Sequence, residues 1–331
     1  MKPRVAILFN SPVLPVEHPD YASETEVVSV AHAVLSALKT RGFRPFLMAA
    51  RPPIQRLVNT LVKKHPDVVF NLIEGFGGHS GGESHVTSLL ELMKIPYTGC
   101  PPACQALGRH KAMTKRLLLG SGLPTAQFWS VEPGDPLPFD PWPGTLFVKP
   151  ESEDASLGIS QENVVTTPDD LANRLESIRK MHGPQVLIET YLPGPEFNIG
   201  VLALPHPVAL PVAEIVYVPT EGQWPILSYE AKWHVGSKAD LASLSRCPAE
   251  IDPTLANQLA ELAVRAFRVS GCRDYARIDM RLNSKGEPMI LEVNPNPDLD
   301  PSAGFAKALI ASGRDWAETI VAIAHQALAR G

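Results

Sequence analysis

Short hydrophobic runs alternate with longer amphipathic stretches along the first hundred residues of the chain. The runs at residues 4–9, 45–49 and 68–72 predict buried strands. The stretches between and after them predict helices at residues 23–39, 54–63 and 83–93, followed by a short strand at residues 95–98. This order is typical of a parallel sheet with helices on both faces, in which ligands bind at the carboxyl ends of the strands.

The rest of the chain predicts two further segments in which strands and helices are mixed. The first has predicted strands at residues 126–131, 145–149 and 186–191 and predicted helices at residues 109–119 and 169–179. The second has predicted strands at residues 197–204 and 211–217, a helix that begins at Asp252-Pro253, a strand pair and a C-terminal helix over residues 316–329. We therefore divide the chain into an N-terminal parallel α/β domain (1–100), a central subdomain (101–195) and a C-terminal subdomain (196–331).

The strand pair at residues 275–294 is the most informative stretch, because it combines a predicted β-hairpin with several polar side chains. If Leu282 faces Glu287, alternation along the strands places on one face Arg277, Asp279, Glu292 and Asn294. Asp279 and Glu292 are then diagonal neighbours, about 7–8 Å apart at the backbone. Such oxygen-bearing side chains suit a hard cation such as Mg²⁺ that also contacts phosphate. The alternative is a solvated polar face with a cross-strand Arg–Glu pair, although Asn and Asp are poor strand formers.

Three lysines could accompany a cation at this hairpin. Lys149 ends a predicted strand, Lys111 opens a predicted helix, and Lys232 lies in the polar segment 228–234. A lysine at a helix N-terminus is unfavourable for the helix dipole unless an anion also lies there. Single lysines are usually solvated surface residues, but together with a carboxylate pair they suit a triphosphate bridged by Mg²⁺.

Composition and charge narrow the class of protein. The 331 residues are 44% hydrophobic, which excludes a disordered chain, and 30 Lys+Arg against 35 Asp+Glu give a net charge of -5. A nucleic-acid or membrane-surface binder would need a basic stripe. The N-terminal apolar run is shorter than the ~7–15 residues of a signal peptide. The four cysteines are too sparse for a disulfide framework, and Cys100-x3-Cys104 alone is a weak signal for a metal site. We expect a cytoplasmic protein with small-molecule partners and neither nucleic-acid nor membrane partners.

Five short motifs, in order over nearly the whole chain, resemble those of a known family. They are Leu90-Glu-Leu-Met-Lys-Ile-Pro-Tyr-Thr-Gly99, Lys149-Pro150, Val186-Leu-Ile-Glu-Thr-Tyr-Leu-Pro-Gly-Pro-Glu196, Tyr229-Glu-Ala-Lys232 and the hairpin from Arg277 to Asn294. The family is that of the D-alanine–D-alanine ligases, which are ATP-grasp carboxylate–amine ligases. The resemblance implies an α/β fold of three parts, in which a Rossmann-like N-terminal domain precedes two α+β subdomains that clamp ATP. It also implies a reaction in which ATP phosphorylates a carboxylate and an amine attacks the acyl phosphate.

The resemblance further implies a role for several residues of this chain. The ATP phosphates would be held by Lys111 and Lys149. The adenine pocket would be lined by Glu189, Tyr191 and Leu192, with Leu291 beneath the ring, and the ribose would be bound by Glu196. Two Mg²⁺ ions, with Mn²⁺ as an alternative, would be held by Asp279, Glu292 and Asn294. Arg277 would stabilise the acyl phosphate and the tetrahedral intermediate, Lys232 would reach the transferred phosphate, and the implied assembly is a homodimer.

Glu26 allows two interpretations. The family carries a glutamate near this position that contacts the amine of the first amino acid. Ser23-x-x-Glu26 also has the spacing of a capping box, in which the glutamate only satisfies backbone N–H groups at a helix start. Both interpretations stay open at the level of the sequence.

The departures from the family pattern fall in the half that handles amino acids. Residues 154–158 read Asp-Ala-Ser-Leu-Gly where the ligases have Gly-Ser-Ser-Val-Gly, and Lys232-Trp233 replaces Lys-Tyr, so two hydroxyls are missing together. Glu74-Gly75 replaces His-Gly, and the family's Ser-Leu falls near Ser302-Ala303. These changes predict a bulkier or less polar acceptor than a second alanine. The alternatives are an ATP-grasp ligase for another amino-acid or peptide substrate, a kinase, or a nucleotide-binding protein without turnover.

Overall fold

The protein is described by a computed structural model that covers residues 2–15, 21–79, 81–137, 139–153, 156–234 and 236–331, with all their side chains except those of residues 22–24. Its strands form three sheets, one parallel and two antiparallel. In the described residues, no helix is both long enough and apolar enough to cross a bilayer.

The first sheet is parallel, as the alternating pattern predicted. Its elements, in chain order, are β1 (Arg4–Asn10), α1 (Tyr21–Thr40), β2 (Arg44–Ala50), α2 (Ile54–Lys64), β3 (Val68–Leu72) and α3 (Gly82–Leu92). The strand order is β2-β1-β3. The predicted strand at residues 95–98 is wrong, because that segment contributes only one bridge, between Tyr97 and Val69.

The second sheet is antiparallel, with strand order β4-β7-β5-β6. The elements of this part are α4 (Pro102–Arg109), α5 (Lys111–Gly120), β4 (Phe128–Val131), β5 (Leu146–Pro150), β6 (Val164–Val165), α6 (Pro168–His182) and β7 (Val186–Thr190). The helix predicted at 109–119 is confirmed as α5, which begins two residues later because His110, with a φ of -94° and a ψ of 83°, is not helical. Helix α4 before it was not predicted. Lys111 is therefore the first residue of its own helix.

The third sheet is built around β8, with order β11-β10-β8-β12-β13 and β9 paired to β8. The elements are β8 (Glu196–Ala203), β9 (Pro207–Ala209), β10 (Ala213–Tyr217), α7 (Tyr229–Trp233), α8 (Lys238–Leu241), β11 (Ser243–Arg246), α9 (Pro253–Val269), β12 (Tyr275–Leu282), β13 (Pro288–Asn294), α10 (Gly304–Ala311) and α11 (Trp316–Leu328). The Asp252 side chain accepts a hydrogen bond from the Thr254 N–H at 2.7 Å and caps α9, as predicted.

Four hydrophobic clusters hold these layers together. One face of the first sheet packs against α1 and the C-terminal α11, and the other face packs against α2 and α3. Helix α9 covers the third sheet with the apolar stripe that includes Leu259, Leu262 and Phe267, and α6 covers the second sheet. The core of the first sheet thus includes residues from the far end of the chain. The division at residues 100 and 195 stays a prediction.

The β12–β13 hairpin differs from its predicted register. Arg277 pairs with Asn294 and Leu282 with Pro288, and the register shifts between Asp279 and Met280. The turn is longer than predicted because the Asn283 Oδ1 atom accepts hydrogen bonds from the N–H groups of Lys285 and Glu287. A bulge in β13 then places Asp279 directly opposite Glu292, so the predicted diagonal arrangement is wrong and the two carboxylates are closer neighbours than expected.

Candidate active site

Two cavities meet at the β12–β13 hairpin. The first, of about 140 Å³, has Asp279 and Glu292 in its wall. The second, of about 430 Å³, has Arg277 and Asn294 in its wall. We refer to them as the first cavity and the second cavity. The hairpin is therefore shared between two chambers, and its four polar side chains lie where the chambers adjoin.

The polar side chains of the hairpin are linked by short hydrogen bonds. The Arg277 guanidinium donates to both oxygens of Asp279, at 2.7 and 2.8 Å. The Asn294 amide donates to Asp279 Oδ2 at 2.9 Å and to Glu292 Oε1 at 3.2 Å. Asn198 on β8 donates to Asp279 Oδ1 at 2.8 Å. The structure brings these groups together, and two carboxylates with an amide oxygen form the kind of donor set that a hard cation binds.

The two carboxylates of the hairpin differ in their electrostatics. Burial raises the pKa of Glu292, but the positive charges of Lys111, Lys149 and Arg277 outweigh it and bring the pKa to about 2. Burial also raises the pKa of Asp279, and there the opposing effect of Arg277 does not fully compensate. Glu292 is therefore ionised throughout the neutral range, and a divalent cation would complete the neutralisation of the pair.

Lys149 belongs to a buried chain of charges beneath the first cavity. The Glu189 carboxylate lies between two ammonium groups, Lys149 Nζ at 2.6 Å and Lys115 Nζ. Lys115 also donates to Thr125 Oγ1 at 2.7 Å and is 1% exposed. Lys115 is not among the predicted site residues, although it lies one turn after Lys111 on the same face of α5. Of the two lysines bound to Glu189, Lys149 lines the cavity.

Lys149→Ala is expected to weaken Mg-ATP binding by about ten- to hundredfold, because a desolvated lysine–phosphate contact contributes roughly 1.5–3 kcal/mol. Isothermal titration calorimetry with Mg-ATP measures the change. The matched control is Lys115→Ala, which also removes one partner of Glu189. If the control weakens binding equally, the effect passes through Glu189. If Lys149→Ala leaves the affinity unchanged, Lys149 is only a charge at the end of a strand.

The remaining side chains predicted for the nucleotide also line the first cavity, namely Glu189, Tyr191, Leu192, Glu196 and Leu291. Glu196 is already engaged, since its Oε2 accepts from Tyr217 at 2.8 Å and pairs with Arg281 at 3.4 Å. Arg281 was also missed, and its guanidinium carbon lies 5.3 Å from the centre of the Tyr191 ring. Its signal was available, because it is two residues beyond Asp279 on β12 and therefore shares that face.

Carboxylates dominate the second cavity. Its described wall contains the acidic side chains Glu26, Glu74, Glu83, Glu153 and Asp298 and the basic side chains Arg109, Lys232 and Arg277. Burial and the neighbouring Asp298 raise the pKa of Glu26 to about 7, and burial, Asp298 and Glu26 raise that of Glu74 to about 8. Burial and Asp300 raise the pKa of Asp298. These carboxyl groups are thus close enough to repel one another when ionised.

The structure tests only the capping interpretation of Glu26, and the substrate contact stays a prediction. Helix α1 begins at Tyr21, so Ser23 lies inside the helix and a capping box at Ser23 is wrong. The Glu26 side chain lines the second cavity.

Position 155, whose alanine replaces a family serine, lies outside the described residues. Ser302, expected near a substrate carboxylate, donates to Asp300 Oδ1 at 2.6 Å.

Lys232 also lines the second cavity, and its ammonium nitrogen lies 5.0 Å from the centre of the Trp233 ring. The lysine is exposed, and desolvation by the surrounding protein together with the charge of Arg277 lowers its pKa. An ammonium over an indole face is a favourable cation–π arrangement. The tryptophan that replaces the family tyrosine therefore contacts a cation at the cavity wall.

Glu74 is expected to make the protein less stable as the pH rises. Its folded-state pKa of about 8 lies above the ordinary value of 4.5, so the native state keeps a proton that the unfolded state releases between these pH values. Glu74→Gln should therefore raise the melting temperature increasingly from about pH 4.5 to pH 8, with a plateau above. Thermal melts across this range test it, with Glu221→Gln, an exposed carboxylate outside this cavity, as control. Parallel melting curves for Glu74→Gln and the unmodified protein would contradict the assignment.

Known proteins with similar sequences include members of the family that the five motifs resemble. Residues 142–325 match the family model for the D-ala D-ala ligase C-terminus. The D-alanine–D-alanine ligase of Alcanivorax borkumensis is 32% identical over 287 residues, covering 84% of this chain and 82% of that protein. An uncharacterized protein of Sinorhizobium fredii, y4sG, is 31% identical over 300 residues, covering 88% and 85%.

The fold agrees with a solved structure. The D-alanine–D-alanine ligase from Bacillus anthracis complexed with ATP superposes with a TM-score of 0.77 at 18% identity, covering 99% of this chain and 98% of that chain. This likeness confirms the α/β ATP-grasp fold expected from the sequence motifs. With the family match over more than half of the residues and relatives above 30% identity, the chain belongs to the D-alanine–D-alanine ligase family.

Proposed function

We propose that this protein is an ATP-dependent ligase that activates a carboxylate as an acyl phosphate and joins it to an amine, forming an amide bond. The observation that carries the proposal is the shared hairpin: Asp279 and Glu292 face the first cavity, while Arg277 and Asn294 face the second. A phosphoryl group bound in the first cavity would lie next to a carboxylate bound in the second. This adjacency is what phosphoryl transfer between two bound substrates requires.

The residues around the hairpin would divide the work of this reaction. Lys111 and Lys149, beside Glu292, would hold the phosphates of ATP and offset the negative charge that develops on the transferred group. Lys232 would reach that group from the second cavity, and Arg277 would stabilise the oxyanion of the tetrahedral intermediate. Arg277 is held for this role by its two hydrogen bonds to Asp279.

The donor set of Asp279, Glu292 and Asn294 fits a hard divalent cation, and these residues would hold Mg²⁺, as two ions by family resemblance, with Mn²⁺ as the alternative. When bound, such ions neutralise phosphate oxygens.

The same resemblance supports a homodimer and, with the composition, a cytoplasmic location. In the nucleotide half of the site, Tyr191, Leu192 and Leu291 would pack against the adenine, and Glu196, joined to Tyr217 and Arg281, would bind the ribose.

The attacking amine has to lose its extra proton before it forms the amide bond. Glu26 and Glu74 have pKa values of about 7 and about 8, close to the pH at which a general base works best. Both line the second cavity. Glu26 would contact the ammonium group of the first substrate, and Glu74 would accept a proton from the attacking amine.

Hydroxylamine trapping tests the reaction class. An acyl phosphate reacts with hydroxylamine to give a hydroxamate, whereas a phosphate ester, the product of a kinase, does not. We expect ADP and hydroxamate in equal amounts when the protein is incubated with Mg-ATP, hydroxylamine and a panel of amino acids. ADP without hydroxamate would indicate phosphoryl transfer to a hydroxyl. Absence of ADP with every carboxylate, despite Mg-ATP binding, would indicate a nucleotide-binding protein without turnover.

The lining of the second cavity indicates the class of acceptor. Asp298 adds negative charge beyond what the single ammonium group of the first substrate needs at Glu26. Glu74 keeps its proton up to about pH 8 in the protein alone, and a second ammonium group beside it would favour its ionised form. Gln105, which is 1% exposed, also lines this cavity, and its Nε2 atom has no hydrogen-bond partner among the described residues, so it can donate to a carbonyl group of the bound substrate. The acceptor is therefore an amine that carries a second cationic group, such as a diamine. This lining supports the predicted bulkier acceptor but not a less polar one.

A further inference from the structure

Three of the four cysteines of the chain come together although they are far apart in the sequence. Their sulfur atoms, Sγ of Cys100, Cys104 and Cys272, all lie within 4.8 Å of one another. The Cys104 and Cys272 sulfurs are 3.5 Å apart. Cys100 and Cys104 are buried, and Cys272 is half-buried. The spacing of Cys100 and Cys104 gives no sign of Cys272, which only the fold brings to them.

The cluster lies where three parts of the fold join. Cys100 precedes α4, Cys104 is the third residue of α4, and Cys272 lies in the turn between α9 and β12. These segments are already fixed, because the Gly99 N–H donates to Asp274 Oδ2 at 2.9 Å and Asp274 is fully buried. The cysteines are therefore held close by contacts that do not depend on them.

Some neighbours of the sulfurs favour negative charge, although the Cys100 thiol also donates to the carbonyl oxygens of Arg273 and Tyr275, at 3.5 and 3.6 Å. Cys104 lies in the first turn of α4, where backbone N–H groups and the helix dipole stabilise a thiolate. The Arg273 N–H donates to Cys100 Sγ at 3.3 Å. The Arg273 side chain lies over the Tyr97 ring, and its buried Nη2 has no hydrogen-bond partner among the described residues. A guanidinium so placed would offset the net negative charge of three thiolates around one divalent cation.

We propose that Cys100, Cys104 and Cys272 bind one Zn²⁺ ion, with water at the fourth position on the half-buried side of Cys272. Tetrahedral zinc with Zn–S bonds of about 2.3 Å places its sulfur ligands about 3.8 Å apart. The Cys104 and Cys272 sulfurs, 3.5 Å apart, would therefore separate slightly, and no sulfur pair, all lying within 4.8 Å, would have to shorten by more than about 1 Å. The ion would connect α4 to the start of β12. Helix α4 supplies Gln105, Gly108 and Arg109 to the second cavity, and β12 carries Arg277. The site is structural and does not depend on the proposed reaction.

Metal binding to the full chain tests the proposal. The reduced protein, stripped of metal, is titrated with Zn²⁺ against a chromophoric chelator and separately with Co²⁺, whose thiolate complexes absorb in the near ultraviolet. We expect one Zn²⁺ per chain, a thiolate–cobalt absorption band, and a higher melting temperature with Zn²⁺ than without. Cys104→Ser and Cys272→Ser should each weaken Zn²⁺ binding at least roughly a hundredfold. Cys247→Ser, which removes the cysteine outside the cluster, should leave it unchanged.

Several outcomes would overturn the proposal. If the reduced, folded protein binds no Zn²⁺, or if Cys247→Ser weakens binding as much as Cys272→Ser, the cluster is not a metal site. Should Cys104→Ser fail to fold, Cys272→Ser decides, because Cys272 is half-buried and tolerates a hydroxyl more easily. A Cys104–Cys272 disulfide found by mass spectrometry in protein that binds no Zn²⁺ even after reduction would identify the cluster as a redox pair.

Discussion

Glu292→Gln is expected to lower kcat by about 10²–10³, comparable with the removal of one electrostatic stabiliser from an active site. The substitution keeps the shape of the side chain and removes its charge. The wild-type carboxylate is ionised at any assay pH, because the neighbouring lysines and Arg277 bring its pKa to about 2. The loss should therefore be the same across the neutral range, and it should come with a higher requirement for Mg²⁺, measured by ADP release at increasing metal concentration.

The control for this substitution is Glu287→Gln on the same hairpin. Glu287 is exposed and accepts a hydrogen bond from Asn283 at 2.8 Å in the turn. It has the same charge as Glu292 but lies outside both cavities, so its loss should leave kcat within about twofold. Near-normal activity of Glu292→Gln with a native melting curve would show that the hairpin does not hold the metal.

The first sheet was predictable because its signal is local. Each strand of a covered parallel sheet is buried on both faces and is read as a continuous apolar run, as in residues 68–72. The sequence could not show whether residues 95–98 form a strand or only one bridge. Both arrangements bury apolar side chains against the first sheet, so both give the same apolar pattern. Helix α4 was also missed, because the prolines at 101 and 102 were interpreted as a loop, whereas Pro102 is the first residue of that helix.

The hairpin shows both the strength and the limit of side-chain alternation. Alternation placed Arg277, Asp279, Glu292 and Asn294 on one face, and in the structure they contact one another. The register was wrong because it depends on the Asn283 turn and on a bulge in β13. The two deviations together restore the shared face. A one-residue slip without the bulge would have separated the carboxylates.

The rest of the site was harder to predict the farther apart its residues lie in the sequence. Lys115 and Arg281 follow recognised residues at the helix and strand periods and were within reach. Glu74 and Asp298 belong to loops that are more than two hundred residues apart, and only the packing of the first sheet against the C-terminal part brings both to the second cavity. The resemblance showed that Glu74 replaces a family histidine, but it did not show that other carboxylates would surround it.

D-Alanine is expected to be a poor substrate when it is the only amino acid supplied. We expect its kcat/KM to be lower, by about a hundredfold or more, than that of a diamine acceptor offered with a suitable carboxylate. The acceptor alanine would bring its own carboxylate into a cavity that already holds Glu26 and Asp298, beside Glu74, which keeps its proton up to about pH 8. Like charges that face each other at a binding site cost several kcal/mol, and each 1.4 kcal/mol is a tenfold loss of affinity. An ammonium group at the same position would instead be paired, and the raised pKa values of Glu74 and Asp298 show that the nearby Lys232 does not offset their burial and mutual repulsion.

The assay compares ADP release for a matrix of amino acids and amines, with detection of the amide product. A variant distinguishes charge from size, since Asp298→Asn keeps the volume of the cavity and removes one of its charges. It should reduce the preference for a diamine over alanine by roughly tenfold, because one ammonium–carboxylate contact is lost. Trp233→Tyr restores a hydroxyl next to Lys232 but leaves the carboxylates in place, so it should not by itself make D-alanine a good substrate. Efficient formation of D-alanyl-D-alanine by the unmodified protein, with kcat/KM near ~10⁴ M⁻¹s⁻¹ or above, would contradict the expectation. It would mean that Lys232 and Arg277 alone determine how the second cavity receives a carboxylate, whatever acidic groups surround them.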